Sequence, residues 1–139
     1  MIVLDTNVLS ELLRPVPDAG VVMWLKKQQA SSVFTTSITR GEMFFGAHLV
    51  PDGRRKDDLL RGLNKLFNVR LQGQVLEYDG DAADAYAQIA AARRAHGRRD
   101  DKPFDAMIAG IARSRGASLA TRNVKDFADC GIVVIDPWH

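Results

Sequence analysis

The chain of 139 residues is notable first for what it lacks: it has one cysteine, three histidines and no apolar run of membrane length. A lone Cys130 can form neither an internal disulfide nor a cysteine-based zinc site, and it fits a reducing compartment. His48, His96 and His139 are scattered without metal-ligand spacing, which argues against zinc and for ordinary structural roles. No segment approaches the roughly 20 apolar residues that cross a bilayer. The apolar start before Asp5 also lacks the basic region of a signal peptide. The expectation is a cytoplasmic protein with no membrane role. Repeats, low-complexity tracts and linkers are missing too, so a single domain over 1–139 is expected.

What is present is ordinary for a globular protein. Hydrophobic residues make up 46% and charged residues 26%. A domain of this size buries about two-thirds of the surface its unfolded chain exposes. Lys and Arg number 19 against 17 Asp and Glu, a formal charge of +2. That permits a polyanionic partner without demanding one, because distribution matters more than the total.

Short apolar runs predict strands at Ile2–Leu4, Val33–Thr35, Val75–Tyr78, Ser118–Ala120 and Ile132–Ile135. Runs without polar alternation suit strands buried on both faces. Helical spacing lies between them. Val8, Leu9, Leu12 and Leu13 form one stripe, stopped by Pro15, and Val21, Val22, Trp24 and Leu25 form another. "SITRGEMFFGAHLV" and "RRKDDLLRGLNKLF" predict a third and a fourth helix. Alanine-rich "DAADAYAQIAAARRAHG" is closed by Gly97, and "PFDAMIAGIARSRG" opens with Pro103 at N1 and ends at Gly116. Strands interleaved with such helices predict an α/β protein with a mostly parallel sheet.

Ligands of such sheets bind beyond the carboxyl ends of the strands. Asp5 ends the first strand, Glu42 lies early in the third helix, and Asp105 is in the first turn after Pro103. Asn123 follows the fourth strand, with Asp126 three residues on. Each has a purely structural explanation. Asp5 and Asn123 can cap helices, Asp105 suits a helix dipole, and Thr39-Arg40-Gly41-Glu42 matches the capping box. Caps do not require acids, however, and three of the four positions are carboxylates. Brought within about 5 Å, each pair repels by roughly 3 kcal/mol at an effective dielectric of 20. A hard divalent cation such as Mg²⁺ or Mn²⁺ would offset that repulsion.

"IVLDTNVLSELL", "TSITRGEMFFGA", "KPFDAMIAGIA" and "LATRNVKDF", in this order, resemble the four motifs of the PIN-domain family. More narrowly they are similar to VapC-type toxins of bacterial toxin–antitoxin modules, with "DTNVLSELLRP" and "PWH" closest to the FitB-type branch. The resemblance spans nearly the whole chain. It implies a three-layer α/β/α sandwich with a parallel five-stranded sheet and a metal-dependent endoribonuclease using Mg²⁺ or Mn²⁺. It also implies a homodimer, and a cognate antitoxin through which any operator DNA is bound. Asp5, Glu42 and Asp105 match the family's acidic positions as metal ligands and catalytic residues, and Thr6 and Asn7 match its orienting ones. Asn123 stands where many members carry Asp; it keeps an oxygen and loses a charge, so two tightly held metals are in question.

RNA would need cations near the acids. Arg93, Arg94, Arg98, Arg99 and Lys102 precede Asp105, Arg122 and Lys125 flank Asn123, and Arg40 neighbours Glu42. They suit phosphate contacts, and equally a solvated surface. Phe44 and Phe45 cannot face one way on a helix, so one is expected in the core and the other at a subunit contact. Trp24 is expected in the core, and Trp138 over an edge or partner surface. A non-catalytic RNA-binding or co-repressor PIN module is the alternative function. An aspartyl-phosphate phosphatase is disfavoured, since its second Asp would fall at Asn7.

Overall fold

The computed structural model describes residues 1–97 and 102–139. Five parallel strands form the sheet: β1 (Ile2–Leu4), β2 (Val33–Thr36), β3 (Val75–Leu76), β4 (Ser118–Ala120) and β5 (Val134–Ile135). Their order across the sheet is β3-β2-β1-β4-β5. The α-helices among the described residues are α1 (Thr6–Leu12), α2 (Ala19–Lys26), α3 (Ser37–His48), α4 (Arg54–Lys65), α5 (Gly80–Ala95) and α6 (Pro103–Ser114).

This order dictates the layers. Crossovers from β1 to β2 and from β2 to β3 step one way, while that from β3 to β4 steps back past β1. Because parallel crossovers are right-handed, the two directions place their helices on opposite faces. Side chains alternate along the strands accordingly. Val3 and Leu119 face a core built with Ala82, Ile89, Ile108 and Ile111 of α5 and α6. Leu4, Val33 and Ala120 face one with Val8, Val21, Leu63 and Phe67. The result is the expected α/β/α sandwich.

The alanine-rich α5 lies against α6 at very short range. A Cβ on Gly110 would stand 2.7 Å from the Ala82 carbonyl oxygen and 2.9 Å from the Tyr86 nitrogen. Only glycine fits that crossing. Gly97 and Gly116 follow the two helices at φ +75° and +64°, the left-handed conformation of a helix stop.

The edge strands are shorter than predicted. β3 stops at Leu76, because the Tyr78 N–H leaves the ladder and donates to the Ser37 hydroxyl at 3.3 Å. β5 begins at Val134 rather than Ile132. α4 runs into a π-helical turn at Leu66–Arg70, closed by the Leu71 N–H to the Leu66 carbonyl at 2.8 Å. Phe44 packs inward against Phe67, whereas Phe45 is 65% exposed. Trp24 and Trp138 pack, partly buried, on the α1–α4 side. No helix among the described residues is long and apolar enough to cross a membrane.

Candidate active site

β1 and β4 are neighbours whose chains depart in opposite directions, which opens a crevice at their carboxyl ends. Their register pairs Leu4 with Ala120 and so brings the next residues, Asp5 and Thr121, side by side. Asp5 is 4% exposed. One carboxylate oxygen accepts from the Thr6 N–H at 2.8 Å and the other from the Thr121 hydroxyl at 2.8 Å. Asp5 is therefore the α1 N-cap, as its structural reading held, yet half of its bonding goes to the neighbouring strand's loop. The Thr121 oxygen in turn accepts from the Asn7 amide at 3.3 Å and the Asn123 N–H at 3.0 Å. Asn7 closes the clamp by accepting from the Arg122 N–H at 3.3 Å.

Glu42 corrects one expectation. α3 is capped by Thr36, whose hydroxyl accepts from the Thr39 N–H at 3.0 Å. The helix thus starts three residues before the position a Thr39–Glu42 capping box requires, and Glu42 does not serve a backbone N–H. It accepts instead from the Thr6 hydroxyl at 2.9 Å. Thr6 also lies 3.0 Å from the Thr39 hydroxyl, and Thr39 lies 3.3 Å from that of Thr36. Each hydroxyl carries one proton. With Glu42 ionised, Thr36 donates to Thr39, Thr39 to Thr6, and Thr6 to the carboxylate.

Asp105 occupies the first turn of α6 behind Pro103. No hydrogen-bond donor among the described residues reaches its carboxylate. With Asp5, Glu42 and Asn123 it lines one open cavity of about 470 Å³. All three carboxyls are pushed up. Burial is the main cause for Asp105, reinforced by the charges of Asp5 and Asp126 and opposed by Lys102 and Arg93, and its pKa stands at about 6. Burial also raises Asp5 against the Thr121 and Thr6 hydrogen bonds, with Glu42 and Asp126 adding to the rise. Glu42 is raised by burial against the Thr6 bond, with Asp105 adding to it. The three acids feel one another across the cavity.

The donor set fits a hard cation: three mutually repelling carboxylates plus an amide oxygen, with no sulfur or imidazole. The fit is not that of a closed chelate. Among the described residues, no group of three acidic, histidine or cysteine side chains is placed to hold an ion directly.

The predicted cations fare unequally. Arg93 is committed within the chain, its guanidinium donating to the Asp126 carbonyl and to Cys130 Sγ, so it braces the segment after β4 and is not offered to RNA. Lys102 forms an ion pair with Asp126 at 2.8 Å. The Asp126 N–H donates to the Asn123 carbonyl at 3.0 Å, while the Asn123 side chain caps nothing. Arg122 stacks 5.0 Å from the centre of the Trp138 ring. Arg94 and Lys125 are exposed. Arg40, two helical positions from Glu42, turns away and stacks on Phe44 and Phe67, with a bond to Asn68 at 3.0 Å. Arg98 and Arg99 lie outside the described residues.

Several residues of the site escaped sequence reasoning. Thr121, buried behind the cavity and bonded to Asp5, Asn7 and Asn123, was findable, since it follows β4 as Asp5 follows β1. Ser10, Glu11 and Arg14 face the cavity. With Asn7 they form an i, i+3, i+4, i+7 series, the polar counterpart of the apolar stripe through Val8, Leu9 and Leu12.

The order of the sheet, the acids at its carboxyl edge and the four motifs define one class of protein. The PIN domain family model matches residues 2–132, and the chain belongs to that family. Among its relatives, the VapC ribonuclease Y4jK of Sinorhizobium fredii is 36% identical over 139 residues, all of this chain and 99% of that protein. Toxin FitB of Neisseria gonorrhoeae is 35% identical, again over all of this chain and 99% of that one. A solved structure of FitAB bound to an IR36 DNA fragment superposes with a TM-score of 0.91 at 35% identity, covering all of this chain and 96% of the matched chain.

Proposed function

We propose that this chain, as a single PIN domain over 1–139, is a divalent-metal-dependent endoribonuclease acting in the cytoplasm as the toxin of a toxin–antitoxin module. One observation carries the reading. Carboxylates from α1's N-cap, α3 and α6 line a single cavity at the carboxyl edge of the sheet, and each is pushed up by burial and by a neighbouring charge. The names of the ribonuclease and toxin relatives support it over the full chain length.

Asp5 and Asp105 serve as anchors for Mg²⁺ or Mn²⁺, and Glu42 as a further ligand or the general base. Bound there, the ion supplies the Lewis acid that polarises a phosphodiester and acidifies the attacking water. The protein's own groups do the rest. Asp5, fixed by two donors, holds its place without rearrangement. Burial raises Glu42, which makes it a stronger proton acceptor than an ordinary carboxylate. Thr6 and Asn7 orient Glu42 and the Thr121 loop. Asn123, on the cavity wall, is an outer ligand or orienting group. Exposed Arg94, Arg122 and Lys125 are the flanking candidates for RNA phosphates.

A cognate antitoxin blocks this cavity and carries any operator DNA contact. The neighbour bound to DNA is itself a FitAB assembly. Phe45 and Phe104, exposed by 65% and 51% beside an apolar cavity next to Glu42, suit the subunit contact of a homodimer. The second reading, a non-catalytic RNA-binding or co-repressor module, is favoured by Asn123 and by the lack, among the described residues, of three acids placed to hold an ion directly. Incubating the purified protein with RNA separates the two. Cleavage that EDTA abolishes and Mg²⁺ or Mn²⁺ restores supports the nuclease; salt-sensitive binding without divalent-dependent turnover supports the module.

A further inference from the structure

We infer that Arg14 is a phosphate-binding residue for the RNA strand in this cavity, preset there by the buried carboxylate of Glu11. The inference rests on the nuclease reading and adds the group that receives the substrate's charge. Four acids line the cavity, Asp5, Glu11, Glu42 and Asp105, and Arg14 is the one basic residue that lines it with them among those described. A polyanion entering so acidic a pocket needs a local cation. Two neighbouring arginines are already committed, Arg93 to the segment after β4 and Arg40 to Phe44 and Phe67.

The loop is built to place Arg14. Glu11 is 6% exposed, and its carboxylate receives the Asp18 N–H at 3.0 Å. Arg14 Nη1 donates to both oxygens of Glu11, at 3.3 and 3.4 Å, and the Arg14 N–H returns to the Glu11 carbonyl at 3.1 Å. Pro15 and Pro17 stiffen the chain between these contacts. The Arg14 side chain is 65% exposed, and among the described residues Glu11 is its only partner. A guanidinium has five N–H donors, so Nε and Nη2 remain to bind a phosphate bidentately. Stability alone is a poor reason for the arrangement: an ion pair with so exposed an arginine contributes little, whereas a fixed fork at a polyanion site lowers the ordering cost of binding.

The test uses the full-length protein and a short single-stranded RNA, with cleavage kinetics at saturating Mg²⁺ and binding by anisotropy in EDTA across a salt series. Arg14→Ala is expected to raise KM and Kd about tenfold with kcat less affected, and to reduce the slope of log K against log salt by about 0.7, the value of one phosphate contact on a single strand. Arg14→Lys should recover the salt slope but only part of the affinity. Unchanged KM, Kd and slope in Arg14→Ala overturn the assignment, and so does weakened binding that merely tracks a loss of thermal stability. Wild-type RNA binding that depends on Arg14, without any divalent-dependent cleavage, overturns the nuclease reading and leaves the Arg14 contact standing.

Discussion

Asp5 and Asp105 face the same cavity but are held in opposite ways. Asp5 is nearly inaccessible and receives two hydrogen bonds, one from its own helix and one from the neighbouring strand's loop. Asp105 is half-buried, meets no donor among the described residues, and sits beside like charges. One carboxylate is held in place by donors of the fold; the other, helped only by the charges of Lys102 and Arg93, stands to gain more when a proton or a cation arrives. The difference separates an acid preset by the fold from one whose charge the fold leaves less well compensated.

Replacing each acid by its amide breaks the comparison most sharply. Asp5→Asn and Asp105→Asn should both lower divalent-dependent RNA cleavage by on the order of 10²–10⁴-fold, and their stabilities should diverge. Asparagine at 5 turns an NH₂ toward a donor and should destabilise by about 1–3 kcal/mol. Asparagine at 105 removes a charge that the fold tolerates poorly and should raise the melting temperature of metal-free protein near pH 8. The sign follows from linkage. Asp105 has a folded pKa of about 6, above its unfolded value of about 3.9. The protonated form therefore stabilises the fold fully below about pH 4, and this contribution is lost as pH rises through about 6. Asp5 and Glu42, also raised, act in the same direction. Metal-free wild type should thus weaken across that window, Asp105→Asn should weaken less, and Mg²⁺ at pH 7 should restore wild type but not the variant. Equal melting temperatures for wild type and Asp105→Asn from pH 4 to pH 8 would remove the contrast.

Thr121→Val tests the held side of the pair and carries a smaller effect. It strips a partner from the Asp5 carboxylate, the Asn7 amide and the Asn123 N–H at once. A cost of about 1–3 kcal/mol is expected in urea unfolding. Cleavage should also fall, though less than in either acid variant, because Asp5 retains the Thr6 N–H. A variant as stable as wild type would mean that the loop after β4 does not depend on this clamp.

What the sequence revealed divides along the same line. Central strands β1, β2 and β4 and the helices were legible because continuous apolar runs and 3.6-residue spacing are local signals. The Asp5, Glu42 and Asp105 positions followed from strand ends and first helical turns, the sandwich came with the motif resemblance, and one cavity does join the three acids. The ends of β3 and β5 were not legible, since an edge strand stops where a side chain elsewhere captures its backbone, as Ser37 does for Tyr78. The Thr39–Glu42 capping box misled because Thr36, three residues upstream, caps equally well and β2 delivers the chain to it. Thr121 and Glu11 lie inside the quoted motifs, but their roles depend on partners elsewhere in the fold and on burial, which the motifs do not show. Charge runs were the least informative, because Arg93 looks like its neighbours until its partners are seen.

Arg40 gives the smallest effect and sharpens that last point. In sequence it lies two residues from Glu42 and looks like a cation beside the site. In the fold its guanidinium stands 5.4 and 5.6 Å from the ring centres of Phe44 and Phe67 and bonds Asn68, on the side of α3 turned from the cavity. Arg40→Ala should therefore leave KM, kcat and the salt dependence of RNA binding unchanged, while costing about 0.5–1 kcal/mol of stability from the lost stacking. Arg14→Ala should give the reverse pattern. A tenfold rise in KM for Arg40→Ala, without loss of stability, would place the RNA path over α3 rather than along the polar face of α1.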